Sequence, residues 1–181
     1  MLKYIKDSIR VINRLKKGDE RGFLSRIFCP EELKTFGWLG EIRQINHTYT
    51  SLRGTVRGMH YQIPPYSEIK LVTCIKGEIF DVVVDLRNGS PTFLKCHVEL
   101  LSEKNSKSII IPKGFAHGYQ SLSDDVEMLY CHSESYLPKY EAGLNPKDQR
   151  LAINWPLSIT QISKRDEDQM LIDDFFNGIK L

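Results

Sequence analysis

The chain has 181 residues, 41% of them hydrophobic, a length and composition suited to one domain with a sizeable core. Its 25 basic and 23 acidic residues are interleaved for a formal charge of +2, so no basic stripe marks it for nucleic acid or an anionic membrane surface. No apolar run approaches the roughly 18 residues of a membrane-spanning helix.

In chain order, the first predicted element is a short helix opening at Pro30-Glu31-Glu32-Leu33. Strands follow over 42–50, 53–60, 68–75, 78–87, 93–101, 107–112, 117–122 and 125–133, each showing alternation or a short apolar run. They are punctuated by Pro64-Pro65, Asn88-Gly89-Ser90-Pro91, Pro112-Lys113-Gly114 and Ser123-Asp124-Asp125. A terminal helix is predicted from about Ser163 through Phe176, with Ser163 three residues before Asp166 as in a capping box. Cys29, Cys74, Cys96 and Cys131 are far apart, form no CxxC pair and follow no charged-then-apolar leader, which predicts reduced thiols and a cytoplasmic protein.

Many short strands with one helix at each end predict an all-β fold over residues 1–181. Two glycine-containing histidine turns, Arg57-Gly58-Met59-His60 and Gly114-Phe115-Ala116-His117-Gly118, suggest a cupin-like jelly roll with its ligand in the barrel mouth. A metal-binding barrel of this kind needs a His-x-His pair and a nearby carboxylate. Here His60 is followed by Tyr61 and Gln62, and Lys70 stands where the acidic ligand belongs, so no metal is expected. No dinucleotide motif is present either, and no cofactor is predicted.

Ten segments, in order, carry a resemblance to a known family. They are Asp19-Glu20-Arg21-Gly22-Phe23, Gln44-Ile45-Asn46-His47, Val56-Arg57-Gly58-Met59-His60-Tyr61-Gln62, Lys70-Leu71-Val72, Phe80-Asp81-Val82-Val83-Val84-Asp85-Leu86-Arg87, Ser90-Pro91-Thr92-Phe93, Ile111-Pro112-Lys113-Gly114-Phe115-Ala116-His117-Gly118, Tyr130, Tyr136-Leu137-Pro138 and Asn154-Trp155-Pro156. In this pattern the chain resembles the nucleotide-sugar 3,5-epimerases typified by dTDP-4-dehydrorhamnose 3,5-epimerase.

The resemblance implies an isomerase acting on a nucleoside-diphospho-4-keto-6-deoxy sugar for surface polysaccharide synthesis. The 4-keto group acidifies the hydrogens at C3 and C5, and histidine, with an ordinary pKa of about 6.5, supplies a free base at neutral pH. By resemblance His60 is that base and Asp166 fixes its tautomer. Lys70 offsets the charge forming on the C4 oxygen, and Tyr130 returns a proton to the opposite face, with Tyr136 a competitor for that role. Arg21, Arg57 and Arg165 match contacts to the diphosphate or sugar, while Gln44, Asn46, His117 and Glu141 match other ligand contacts. His47, His97 and His132 are expected to be chemically silent. The family pattern further implies a homodimer with exchanged N-terminal strands, so that the segment from Arg21 to Arg26 completes the partner's pocket.

Two departures concern the substrate. Arg26 stands where the dTDP-sugar enzymes carry a glutamate against thymine; arginine only donates, and it suits the O6 and N7 acceptors of guanine, making GDP an alternative base. Ser135 replaces an aromatic residue and leaves room for a heptose. The rival readings are a C3-only epimerase, a 3,4-ketoisomerase and an inactive sugar-nucleotide-binding cupin.

Overall fold

The computed structural model describes residues 8–181, and two facing sheets organise them. The strands are β1 (Arg10–Asn13), β2 (Lys16–Asp19), β3 (Gly22–Ser25), β4 (Gln44–Thr50), β5 (Thr55–Gln62), β6 (Lys70–Lys76), β7 (Glu78–Asp85), β8 (Cys96–Ser102), β9 (Lys107–Ile111), β10 (Phe115–Ser121), β11 (Val126–His132), β12 (Glu141–Gly143) and β13 (Gln161–Ile162). The helices are α1 (Pro30–Lys34) and α2 (Lys164–Glu167). One sheet runs β1-β9-β6-β11-β4; the other runs β12-β5-β10-β7-β8, with β13 also paired to β5, and β2 and β3 form a separate hairpin. All eight predicted strands are present as β4–β11, with ends within three residues of expectation.

Alternation assigns each residue to a layer. On β6 and β11, Val72, Cys74, Val126 and Met128 point inward and meet Ile79, Val83, Phe115 and Tyr119 from the other sheet in a common core. The residues between them face outward, and several are covered. Leu71 and Cys131 pack with Leu33 and Trp38 from α1 and the turn after it, while Val82 and Val84 lie under Leu151, Ile172 and Ile179 from the C-terminal segment. Where both faces are covered, as along most of β6 and β7, the strands read as apolar runs, whereas Ile45 and Tyr49 on β4 and Val98 and Leu100 on β8 are exposed.

The C-terminal helix is shorter than expected and stops at Glu167 rather than continuing to Phe176. Ile172, Phe176 and Ile179 have helical spacing, but tertiary partners claim the backbone: Asn145 N–H bonds Met170 O, Asp148 Oδ2 accepts from Ile172 N–H, and Ile179 N–H bonds Leu86 O. The three side chains spread over the sheet as its lid. α1 forms where the sequence places it, with Pro30 in its first turn. Of the four cysteines, all unpaired, Cys74 and Cys131 are buried and the other two half-buried. Among the described residues no helix is long and apolar enough to cross a membrane.

Candidate active site

A cavity of about 570 Å³ opens between the sheets, walled by β4, β6 and β11 on one side and β5 and β10 on the other. A backbone irregularity gives it its base. His117 on β10 pairs with His60, yet Tyr119 pairs with Arg57, so two steps on one strand oppose three on the other. This one-residue bulge cancels the alternation that would send Arg57 and His60 to opposite faces, and both reach the cavity. Gly58 sits in the bulge with φ +125°, where an added Cβ would lie 2.5 Å from Gly118 Cα and 2.8 Å from His117 O. Only glycine fits that conformation and that approach.

The bulge turns the Gly58 N–H toward Asp166 Oδ2 at 3.2 Å, while Asp166 Oδ1 meets His60 Nε2 at 2.7 Å. Ser163 caps α2 by accepting from the Asp166 N–H at 3.0 Å, as the capping pattern anticipated, and the carboxylate lies against the histidine. Burial alone would raise the Asp166 carboxyl, but the hydrogen bond and charge of His60, the Gly58 amide and Ser163 hold it below the usual carboxylate range. An ionised Asp166 only accepts, so in the neutral ring Nε2 carries the proton and Nδ1 the lone pair. With 31% of its side chain exposed, His60 remains accessible from the cavity.

Tyr130 rises from β11 on the facing sheet. Its ring stacks on His132 at 6.1 Å and meets His117 edge-on at 6.0 Å, and burial first, then the nearby Tyr119 and Asp81, push its hydroxyl well above the ordinary phenol range. It is therefore a neutral donor. His117 is buried against Asp81 Oδ2 at 2.6 Å. The Lys70 ammonium, also buried, donates to His60 O and approaches Glu68 Oε1, both at 3.2 Å.

The rim carries the other predicted contacts. Tyr136 donates its hydroxyl to Glu141 Oε2 at 2.6 Å, and Arg165 pairs with the second oxygen of Glu141. Gln44 Oε1 accepts from the Tyr136 N–H at 2.8 Å, and Gln44 Nε2 donates to Asn46 at 3.1 Å. Arg57 donates only to neutral acceptors, Thr50 Oγ1 and Tyr49 O, so its charge has no carboxylate partner among the described residues.

Ten of the twelve predicted site residues thus converge on one cavity. Arg21 and Arg26 do not reach it within the chain. Arg21 pairs with Asp19 at the β2–β3 turn, and Arg26 pairs with Glu32 of α1 beside a second cavity of about 470 Å³ that holds no histidine. His132, expected to be silent, lines the same cavity as the ten, where its Nδ1 binds Glu68 Oε2 at 2.7 Å. Alternation offered a signal for it, since His132 lies two residues from Tyr130 on the same face. Glu68 carried the same signal, two residues before Lys70 in the strand expected over 68–75, although that strand begins at Lys70. Among the described residues no group of three or more His, Cys, Asp and Glu side chains is placed to hold a metal ion.

The family model described as dTDP-4-dehydrorhamnose 3,5-epimerase matches residues 4–174. The dTDP-4-dehydrorhamnose 3,5-epimerase of Shigella flexneri is 41% identical over 162 residues, covering 88% of this chain and 89% of that protein. The dTDP-4-dehydrorhamnose 3-epimerase of Streptomyces niveus is 40% identical over 158 residues, 87% of this chain and 76% of that one. Among solved structures, the dTDP-6-deoxy-D-glucose-3,5-epimerase of Legionella pneumophila, in complex with dTDP-4-keto-L-rhamnose, superimposes with a TM-score of 0.88 at 35% identity, covering 96% of this chain and 94% of that one. The chain belongs to the dTDP-4-dehydrorhamnose 3,5-epimerase family, an isomerase family built on the cupin-like barrel.

Proposed function

We propose that the cavity binds a nucleoside-diphospho-4-keto-6-deoxy sugar and inverts C3, C5 or both without metal or cofactor. The observation that carries this reading is the placement of His60, held by Asp166 of α2, on one sheet and Tyr130 on the other, across a single cavity. A sugar ring lying between the sheets offers one face to a base and the other to an acid.

His60 Nδ1 takes the proton from the carbon beside the ketone, and the C–H electron pair moves into the enolate, placing charge on the C4 oxygen. Lys70 stabilises that oxygen. Tyr130 then gives its proton to the opposite face of the carbon, which completes inversion, and solvent resets both groups. Tyr136 is the weaker candidate for the acid because its hydroxyl is engaged by Glu141 at the rim. Arg57 and Arg165 serve the diphosphate or sugar, and Gln44, Asn46, His117 and Glu141 complete the ligand contacts.

The names of the relatives support dTDP as the carrier. Arg26 is the feature that favours testing GDP, and Ser135, exposed at the approach to Tyr136, favours testing a heptose. Arg21 and Arg26 act from the neighbouring protomer of a homodimer with exchanged N-terminal strands. The 3-epimerase of Streptomyces niveus makes inversion at C3 alone the second reading. The product serves surface polysaccharide synthesis in the cytoplasm.

Proton NMR in D₂O with dTDP- and GDP-linked 4-keto-6-deoxy sugars tests the proposal. Loss of the H3 and H5 signals is expected; loss of H3 alone selects the second reading. A folded protein that binds either nucleotide yet exchanges neither hydrogen, on hexose or heptose, defeats it.

A further inference from the structure

Glu68 is the one carboxylate in the cavity wall that contacts both a lysine and a histidine among the described residues. Its Oε1 meets Lys70 Nζ at 3.2 Å and its Oε2 meets His132 Nδ1 at 2.7 Å, with only 9% of its side chain exposed. Burial by itself would raise this carboxyl, but Lys70 and His132 hold it below its ordinary range, so it carries a full charge between them.

An ammonium has three N–H donors. On Lys70 one goes to His60 O and one to Glu68, leaving the third for the cavity. The side chain is long and flexible, and without these anchors its charge would wander. At the other end of Glu68, His132 lies parallel to the Tyr130 ring, with an interplanar angle of 19°. The same carboxylate therefore anchors the cation at the enolate oxygen and the aromatic ring that backs the acid.

Resting on the epimerase reading above, we propose that Glu68 and His132 are positioning residues for epimerisation: Glu68 aims the Lys70 charge at the C4 oxygen, and His132 holds Glu68 and Tyr130 in register. Charge on that oxygen develops during proton removal, so misplacing Lys70 weakens an interaction made mainly in the transition state. The consequence is a loss in kcat at nearly constant KM, which distinguishes positioning from a loosened binding site.

The test uses the full-length protein, a dTDP- or GDP-linked 4-keto sugar that the parent exchanges, and deuterium incorporation as the assay. Glu68→Gln keeps the size and one hydrogen bond but removes the charge; its kcat is expected to fall about tenfold to a hundredfold with KM within about twofold. His132→Leu is expected to lose about tenfold, and His132→Asn, whose amide nitrogen can replace Nδ1 as donor, to recover most of that loss. Should Glu68→Gln fail to fold, the two His132 variants decide by themselves. Folded variants with kcat equal to or above the parent's, or equal losses in His132→Leu and His132→Asn, overturn the positioning role while leaving the epimerase intact. A parent that exchanges no substrate defeats the epimerase reading itself, and the positioning role with it.

Discussion

Asp166 holds His60 with one carboxylate oxygen at 2.7 Å and the Gly58 amide with the other at 3.2 Å, so the β5 bulge and the proposed base share an anchor. The irregularity that turns His60 into the cavity also frees the amide that fixes its partner.

His60→Asn and Asp166→Asn are therefore expected to fail differently. The first removes the base and abolishes deuterium incorporation. The second presents an amide that can donate to Nε2, which frees the ring to protonate Nδ1 and remove the lone pair. A fall of about 10²–10⁴-fold in exchange rate is expected for Asp166→Asn. Deuterium incorporation followed by NMR checks both; an Asp166→Asn rate within threefold or so of the parent would remove Asp166 from the mechanism.

Gly58→Ala is expected to be severe. Its Cβ would press on Gly118 Cα and His117 O, backbone atoms of the neighbouring strand that have no rotamer to change. Overpacking and an unfavourable φ each cost about 1–3 kcal/mol, and a combined loss of about 3 kcal/mol is expected in chemical unfolding. If the variant matches the parent in stability, the bulge geometry is wrong.

The sequence made the central strands legible because β7 is covered on both faces, which leaves an apolar run such as Val82-Val83-Val84. The site was legible in its residue types, through family resemblance, and less so in its arrangement. Strict alternation separates Arg57 from His60, and only Gly58 inside a strand hints at the shift. The C-terminal segment misled for a physical reason: Ile172, Phe176 and Ile179 keep helical spacing, but the lid they form over the sheet takes its hydrogen bonds from elsewhere in the chain. Short pairings such as β12 and β13 lack enough residues to show a period.

Away from the cavity, Asp85 closes the turn after β7 and contributes to acid-sensitive stability. Its carboxylate accepts from Arg87, Ser90 and Thr92, with Nη2 of Arg87 at 2.7 Å and both hydroxyls at 2.6 Å. Burial pushes the carboxyl up, but these bonds prevail and bring it down to about 2. A carboxyl lowered in the folded state contributes stability that is present above its unfolded value near 4 and lost as pH falls toward about 2. The contribution is about 2 kcal/mol. Urea unfolding of the parent and Asp85→Asn at pH about 6 and about 2 is the check: the parent's advantage should shrink between them, and an advantage independent of pH would contradict the assignment.

Tyr130 and Tyr136 are separable by what each hydroxyl does. Tyr130 stands in the cavity between His117 and His132, whereas Tyr136 spends its proton on Glu141 at the rim. If Tyr130 delivers the proton to the face opposite His60, Tyr130→Phe leaves the first step possible, so deuterium still enters with retained configuration while the inverted product forms about 10²–10⁴-fold more slowly. Tyr136→Phe, lacking the Glu141 contact, is expected to raise KM and leave the ratio of inversion to exchange unchanged. Measuring both products of each variant by NMR separates acid from rim contact. Should Tyr136→Phe exchange without inverting and Tyr130→Phe invert normally, the acid is Tyr136, and the sugar must sit closer to the cavity mouth than the His60–Tyr130 pairing across the sheets implies.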